Sequence, residues 1–569
     1  MKFAERHRYG ASLLAGGSLA LCFPLPGWSG LAFIAPGVLA VAGIGLRPME
    51  AFRVGYVAGL IGFLGSLRWL LHIPFPAGAV AGWLALSAYC AFYPGLWLVG
   101  LSLAAPLMPL DGVSPRARLP SWAAWAASWL NSLEAWAAAS WWQRSRWFLF
   151  AGASWVALEM ARGWVFGGFP WNLLGSALYR NIPLVQLAAW TGIYGLSFVI
   201  VWGSLGLTSA IVLIAMRPDS RWSWTGELRV PLLSLLVIGG IGLRRVMNYK
   251  EPVGDVRLAL IQPSIPQMLM WDSSATTNRF EQIRSLSEQA LAAPADVLVW
   301  PEASLPDIGR DQFGQMLDLV RKKQVHWVFG GDESDDVDGQ VRVYNSAYLM
   351  DERGRLAKTY RKRRLVIFGE YIPLERWFPF MRWLTPIGGS FSEGTGPVAF
   401  PFGTNGGVAS PLICFEPVFP NATREYAAVP EVNFLLELTN DGWFGESSAQ
   451  WQHLASGVFR AVETGMPLVR CTNNGITGWV DPCGRLRAWI GARGESVYDP
   501  GYLRVTVPIG GGSEPTVYRE AGERFGWGCW IGSVLGMGRV LLMLRSRGNG
   551  RKSLDWAAEQ VSVKPMCEL

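Results

Sequence analysis

The hydrophobic pattern divides the chain into three parts. Residues 10 to about 247 are mostly long apolar segments, residues 251–524 alternate short apolar runs with mixed ones, and a single apolar segment follows. Eight stretches, near residues 10–26, 28–46, 52–71, 79–105, 147–163, 191–215, 231–249 and 526–544, approach the ~17–25 residues that a bilayer core requires. The pattern predicts a polytopic α-helical membrane domain of about eight spans, with an α/β domain inserted before the last. The expected divisions are a membrane domain at 1–250 carrying seven spans, an inserted domain at 251–525, a last transmembrane helix at 526–545 and a cytoplasmic tail at 546–569. Within the insert, strands at 256–262, 297–300 and 327–330 alternate with helices at 275–291 and 311–323, and a further helix is expected at 450–463. Such alternation argues an α/β domain, whose sites gather at the carboxyl ends of strands.

Charge orients this layout. Lys2, Arg6 and Arg8 precede the first apolar run as in a signal peptide, but no small-residue cleavage site follows, so an uncleaved helix is expected. With that end cytoplasmic, Arg47, Arg53, Arg116, Arg118, Arg144, Arg146, Arg217, Arg221 and Arg229 fall on the same side, as do Arg545, Arg547, Arg551 and Lys552 of the tail. The loop at 72–78 has no Lys or Arg and falls outside, as the positive-inside rule asks. Arg162, Arg180, Arg244 and Arg245 lie toward the outer side; they either snorkel to headgroups or bind a lipid phosphate.

Composition narrows the classes. In 569 residues, 51% hydrophobic residues, 30 Trp and a mean hydropathy of +0.23 exceed what a soluble core needs. The net charge of +7 follows from the cytoplasmic bias and implies no nucleic acid partner. Trp122, Trp125, Trp129 and Trp136 recur at helical spacing on an Ala-rich segment, which suits a helix lying in the membrane interface; packing against neighbouring helices is the alternative. Seven cysteines show no metal-ligand spacing and four histidines are scattered, so no metal and no cofactor are expected. Cys471 and Cys483 flank a turn-rich stretch, where an oxidising compartment would permit a bond; two inert thiols are the alternative.

Three short pieces carry chemistry. Residues 407–420, GVASPLICFEPVFP, read as a buried strand that ends in Cys414, with Glu416 two residues on. Residues 296–305, DVLVWPEASL, are an apolar strand stopped by Pro301, which presents Glu302 just past its end. Residues 359–373, TYRKRRLVIFGEYIP, hold Lys362 before an apolar run and Glu370 after it. Taken singly, each has a plain structural reading: a core cysteine, a helix-start acid, a solvated lysine and a surface glutamate.

Together, Glu302 in WPE, Lys362 in YRK and Cys414 in ICFE resemble the Glu-Lys-Cys triad of the nitrilase superfamily. The wording around them, FGEYIPLE at 368–375, ICFEPVFP at 413–420, TNDGWFG at 439–445 and TNNGITGWVDPCG at 472–484, resembles one membrane-bound branch, the apolipoprotein N-acyltransferases. The resemblance runs from about residue 255 to about 507, with the hydrophobic flanks extending it. Arg364, Ile367 and Phe415 depart from the family, where His, Pro and Tyr are usual. The resemblance implies a nitrilase-like αββα sandwich for the insert, bacterial inner-membrane residence and a catalytic domain on the periplasmic side. It further implies a phospholipid acyl donor and a diacylglyceryl-modified apolipoprotein as acceptor.

The residue types fit that chemistry. Glu302 would take the thiol proton of Cys414, Lys362 and a backbone N–H near Phe415 would stabilise an oxyanion, and Glu370 and Glu416 would hold Lys362 and the acceptor amine. Water in place of the amine would make the chain a membrane-tethered carbon-nitrogen hydrolase acting on a small amide. A transporter with an inactive outer module is a third reading, which the scarcity of paired charges inside the apolar segments disfavours. Residues 377–391, from Trp377 to Phe391, with Trp443 and Phe444, suit a lid that admits a lipid chain; filling the soluble core is the other use of these aromatics. Trp171, in GGFPWNLL at 167–174, lies in a loop that the resemblance places under the catalytic domain; a simple aromatic anchor is the alternative.

Overall fold

Strand β1 (Gly254–Gln262) shows how the inserted segment folds. Its Val256, Leu258 and Leu260 join one buried cluster while Ala259 and Ile261 join another, the period of two that a strand buried on both faces imposes. The further strands are β2 (Val297–Val299), β3 (His326–Val337), β4 (Gln340–Met350), β5 (Leu356–Arg361), β6 (Phe400–Phe402), β7 (Gly407–Ile413), β8 (Phe434–Thr439), β9 (Leu468–Thr472), β10 (Gly478–Val480), β11 (Leu486–Trp489) and β12 (Gly501–Ile509). They form two six-stranded sheets, ordered β12-β1-β2-β3-β4-β5 and β11-β10-β9-β8-β7-β6. In this computed structural model the described residues are 3–105, 121–217 and 224–562, less Trp271, Leu305, Asp307, Asp338, Leu374, Arg376, Pro386, Gly388, 404–406, Arg493, Glu495 and 511–514.

The two sheets face each other, with β1 against β9 and β4 against β7. The expected helices flank them. Thr276–Ala290 and Arg310–Lys323 cover the first sheet through a core of Phe280, Ile283, Met316, Trp300 and Trp327. Pro420–Ala427 and Ala449–Thr464 cover the second, lying against β7, β8, β9 and β10. The result is the four-layer αββα sandwich. Its central strands β7, β8 and β9 are parallel and wholly buried, which is why their sequences are continuous apolar runs rather than alternating ones.

The helical part supports fewer clear spans than the eight expected. Among the described residues, four helices are long and apolar enough to cross a bilayer: Pro76–Ala104, Ile193–Met216, Thr225–Asn248 and Arg524–Met543. Helices Phe3–Cys22, Pro48–Ser66 and Trp141–Arg162 fall on three more expected stretches, but charges such as Glu50, Arg53, Arg144, Arg146, Glu159 and Arg162 lower their hydropathy. The stretch at 28–46 is no single helix. It breaks into a 3-10 turn, Ser29–Phe33, and a nine-residue helix, Ala35–Gly43, because Pro36 in the first turn lacks the N–H that a continuous helix needs.

Several expected surface groups lie inside. Arg144 is buried with Glu227, Nη2 to Oε1 2.8 Å, and Ser209 donates to the other carboxylate oxygen at 3.0 Å. Trp136 is buried against Trp147 and Phe148, and Trp129 donates to the Val41 carbonyl at 3.4 Å, so these two tryptophans pack against neighbours instead of lining an interfacial face. The side chains of Trp122 and Trp125 lie outside the described residues. Of the outer arginines, Arg180 stacks on Tyr179 and Trp451, Arg245 donates to Gln186 at 3.1 Å, and Arg162 is buried over Phe63, donating to the Asn172 carbonyl at 3.3 Å. Cys471 and Cys483 are both free and buried; Cys471 points its thiol at the Ile261 and Val299 carbonyls.

Candidate active site

Glu302 and Cys414 each follow the end of a strand. β7 runs into Cys414, whose N–H still donates to Leu438 of β8 at 2.8 Å, after which the chain turns sharply with Cys414 at φ +51°. A non-glycine residue in that region is strained by ~1 kcal/mol or more, so the surroundings must hold it. β2 ends before Glu302, and the next residue, Ala303, also has positive φ, at +44°. This turn lies directly on β3: a Cβ at Gly330 would come within 2.7 Å of Glu302 Cα, so only glycine fits there. Lys362 follows β5, its N–H donating to the Asn345 carbonyl at 2.8 Å.

The side chains converge. Lys362, 1% exposed, places Nζ 2.7 Å from Glu370 Oε1 and 3.3 Å from Glu302 Oε1. Asn345 Nδ2 donates to the same two carboxylate oxygens, at 2.8 Å each. Glu302 Oε2 accepts from the Asn440 N–H at 3.0 Å, and Glu370 Oε2 from the Val366 N–H at 2.9 Å. Burial alone would lower the Lys362 pKa, but the carboxylates of Glu302 and Glu370 raise it well above the ordinary lysine value, so the ammonium is fixed. The Cys414 thiol is pushed well above its ordinary value by burial and then by Glu302, against the opposing pull of Lys362. At neutral pH it is therefore a thiol that needs a base, not a standing thiolate.

Glu416 is engaged from within the fold. Its buried carboxylate accepts from the Ile413 N–H at 2.7 Å, the Arg363 N–H at 2.8 Å, the Tyr360 hydroxyl at 2.6 Å and the Tyr426 hydroxyl at 3.1 Å. All of these partners belong to the backbone and core around the Cys414 turn, so it staples that turn to the end of β5. Phe415 stacks with Phe169 and Trp171, 6.1 Å between centroids in each case, and edge-on with Phe419 at 5.1 Å.

The aromatic candidates divide. Trp377 is 80% exposed and, with Phe378, Phe380 and Trp383, forms an apolar prominence around the 3-10 turn Pro379–Leu384. Phe391 is half-buried and its N–H donates to the Glu370 carbonyl at 2.8 Å. Trp443 and Phe444 are half-buried in the turn Asp441–Phe444, and Phe444 meets Trp69 edge-on at 4.5 Å. Trp171 is buried, with its indole N–H on Gln452 Oε1 at 2.8 Å and its ring 5.5 Å from His453, so it is part of the floor and not of a lid. Asn345, Gln452 and His453 are the residues that sequence reasoning missed. Their one signal was a polar residue inside an otherwise apolar run, which requires a buried partner.

Two stacked sheets with a Glu-Lys-Cys cluster at their strand ends define a domain of the carbon-nitrogen hydrolase class, and the carbon-nitrogen hydrolase family matches residues 257–499. The apolipoprotein N-acyltransferase N-terminal domain matches residues 15–206. An apolipoprotein N-acyltransferase of Geobacter metallireducens is 32% identical over 93% of this chain and 94% of its own length. Another, of Rhodopseudomonas palustris, is 30% identical over 85% of this chain and 90% of its own. The chain belongs to the apolipoprotein N-acyltransferase family. An amidase from Nesterenkonia sp. of solved structure is 20% identical, with a TM-score of 0.33, over 45% of this chain and 91% of that one.

Proposed function

We propose that this enzyme moves an acyl chain from phospholipid, through a thioester on Cys414, to the α-amino group of the N-terminal diacylglyceryl-cysteine of lipoproteins. The observation that carries the reading is a protonated, strained Cys414 beside a fixed Lys362 ammonium and the Glu302 carboxylate, in a domain seated directly on apolar helices. Glu302 takes the Sγ proton as sulfur attacks the phospholipid ester carbonyl, and Lys362 faces the oxyanion that forms. When the tetrahedral species collapses, the lysophospholipid leaves as an alcohol and takes that proton from Glu302. The acceptor amine then attacks the thioester; its proton passes by way of Glu302 to the departing sulfur, restoring the thiol. Glu370 and Asn345 hold Lys362 and Glu302 in register throughout.

We assign residues 1–250 to a membrane domain, 251–525 to the catalytic domain, 526–545 to a last transmembrane helix and 546–569 to a cytoplasmic tail, in a bacterial inner membrane with the catalytic domain on the periplasmic side. The exposed rings of Trp377, Phe378, Phe380 and Trp383 then have a use as the part that meets acyl chains. The test is loading of the purified protein with phosphatidylethanolamine and no acceptor. One acyl group should appear on Cys414, cleaved by neutral hydroxylamine and absent in Cys414→Ala, with lysophospholipid released. Peptide mapping that places the label elsewhere, or finds none while the complete reaction turns over, overturns the reading.

A further inference from the structure

His453, in the helix Ala449–Thr464, is buried among acceptors that the acyl-transfer steps leave unused. Its Nδ1 lies 2.9 Å from Asp441 Oδ1, while Nε2 lies 3.0 Å from the Cys414 carbonyl oxygen and 3.3 Å from Glu437 Oε1. The charged and titratable groups facing it are Asp441 in the turn after β8, Glu437 on β8, Arg470 on β9 and Cys414 itself; the Trp171 ring meets it at a tilt from the helical domain. Arg470 is engaged by the two carboxylates, at 2.6 Å to Glu437 and 3.3 Å to Asp441. Burial alone would raise the Asp441 carboxyl, but His453 and Arg470 hold it below its ordinary value, so it is an ionised acceptor. A backbone carbonyl oxygen only accepts, so at 3.0 Å it is Nε2–H of the ring that donates to Cys414.

The consequence lies in the peptide that His453 holds. The Cys414–Phe415 peptide is planar and trans, so its carbonyl and its N–H point in opposite directions. The carbonyl is directed to the helix Ala449–Thr464, which covers the outer face of the second sheet. The Phe415 N–H is therefore turned toward the space between the sheets, where Lys362 and Glu302 approach from the first sheet. Among the described residues it meets no acceptor.

We propose that His453 is a positioning residue: braced by Asp441 at Nδ1, its Nε2 holds the Cys414 carbonyl and thereby keeps the Phe415 N–H aimed at the oxyanion that Lys362 faces. This rests on the acyl-transfer reading above. Positive φ at Cys414 makes such a lock necessary, because the strained turn has neighbouring conformations in which the N–H points elsewhere.

The test compares two reactions of Cys414 in the full-length protein: thioester loading from phosphatidylethanolamine, which forms an oxyanion, and alkylation by iodoacetamide, which does not. His453→Leu should slow loading by about 10²-fold while alkylation changes little, since one oxyanion donor is worth that much. His453→Gln keeps an N–H for the Cys414 carbonyl and should recover most of the loss. Should His453→Leu not fold, His453→Asn, whose shorter amide reaches the Nδ1 position but not the Cys414 carbonyl, takes its place and should load more slowly than His453→Gln. Absence of loading in the wild type overturns the acyl-transfer reading. Normal loading in the wild type with equal loading in His453→Leu overturns the positioning role, as does a parallel loss of loading and alkylation.

Discussion

The Trp171 indole N–H and the Gln452 side-chain oxygen meet at 2.8 Å, joining a loop of the helical domain to a helix of the catalytic domain. The same oxygen accepts from Trp69 Nε1 and Asn172 Nδ2, at 3.1 Å each, and the Gln452 amide donates to the carbonyls of Ser66 at 3.1 Å and Pro24 at 3.3 Å. One side chain thus ties four places in the helical domain to the residue that precedes His453. The loop reaches this position because Gly168, at φ +88°, folds so tightly that a Cβ would lie 2.1 Å from the Gly163 carbonyl oxygen.

Gln452→Leu should therefore be costly. It strands three buried N–H donors, each worth ~1–3 kcal/mol unpaired, so a loss of at least ~3 kcal/mol is expected. Thermal unfolding in detergent, followed by tryptophan fluorescence, should show a clearly lowered midpoint. An unchanged midpoint would mean that the two domains are held by apolar contact alone.

Glu416→Gln distinguishes a staple from a substrate contact. The amide would present N–H groups to hydroxyl and backbone donors that now share a carboxylate, with a destabilisation of about 2 kcal/mol. The expected outcome is a lower unfolding midpoint and a lower kcat with the KM for the lipoprotein acceptor unchanged. A raised acceptor KM with normal stability would restore Glu416 to the role of amine holder.

How much of this was legible in the chain depended on position. Glu302, Lys362 and Cys414 could be read because each sits where an apolar run begins or stops, and strand ends are where chemistry is displayed. Asn345, inside VYNSAYLM, and His453, inside QHLASGVF, sit in mid-element, where their partners come from residues 43 and 39 positions away and leave no local mark. The helical part was only partly legible for a related reason. Counting apolar residues marks the stretches 28–46 and 147–163 as spans, but not that Pro36 divides one of them or that Arg162 of the other, and Arg144 just before it, are buried within the helical domain.

A buried pair at the domain boundary should make stability depend on pH. Burial raises Glu463 from its ordinary value to about 7, with Arg460 opposing, and Glu523 beside it is likewise pushed up to about 7. A carboxyl whose folded pKa exceeds its unfolded one stabilises the fold fully below the unfolded value, near 4.5, and loses that contribution as pH rises through the folded value. Between pH 5 and 8 the unfolding midpoint should fall, with Glu463 alone accounting for about 3 kcal/mol. Glu463→Gln keeps an oxygen for the Ile193 N–H and should flatten the dependence; an equally steep profile in that variant would exclude Glu463 as its source.

Lys362→Met tests the cation at the centre of the site. The side chain is nearly isosteric, so the packing around a residue 1% exposed is kept while the charge is removed. Two effects should separate. Glu302 and Glu370 lose the ammonium that both contact, and breaking such a buried arrangement typically costs ~3–5 kcal/mol, softened here because Asn345 still donates to both carboxylates. The chemical step loses its fixed charge opposite the oxyanion, for which about 10²-fold or more in the acylation rate is expected. Losing the ammonium also ends its downward pull on the Cys414 thiol, so iodoacetamide alkylation at neutral pH should slow as well, which His453→Leu should not cause. A Lys362→Met enzyme that loads phospholipid at the wild-type rate would return this lysine to a structural counter-ion for the two glutamates.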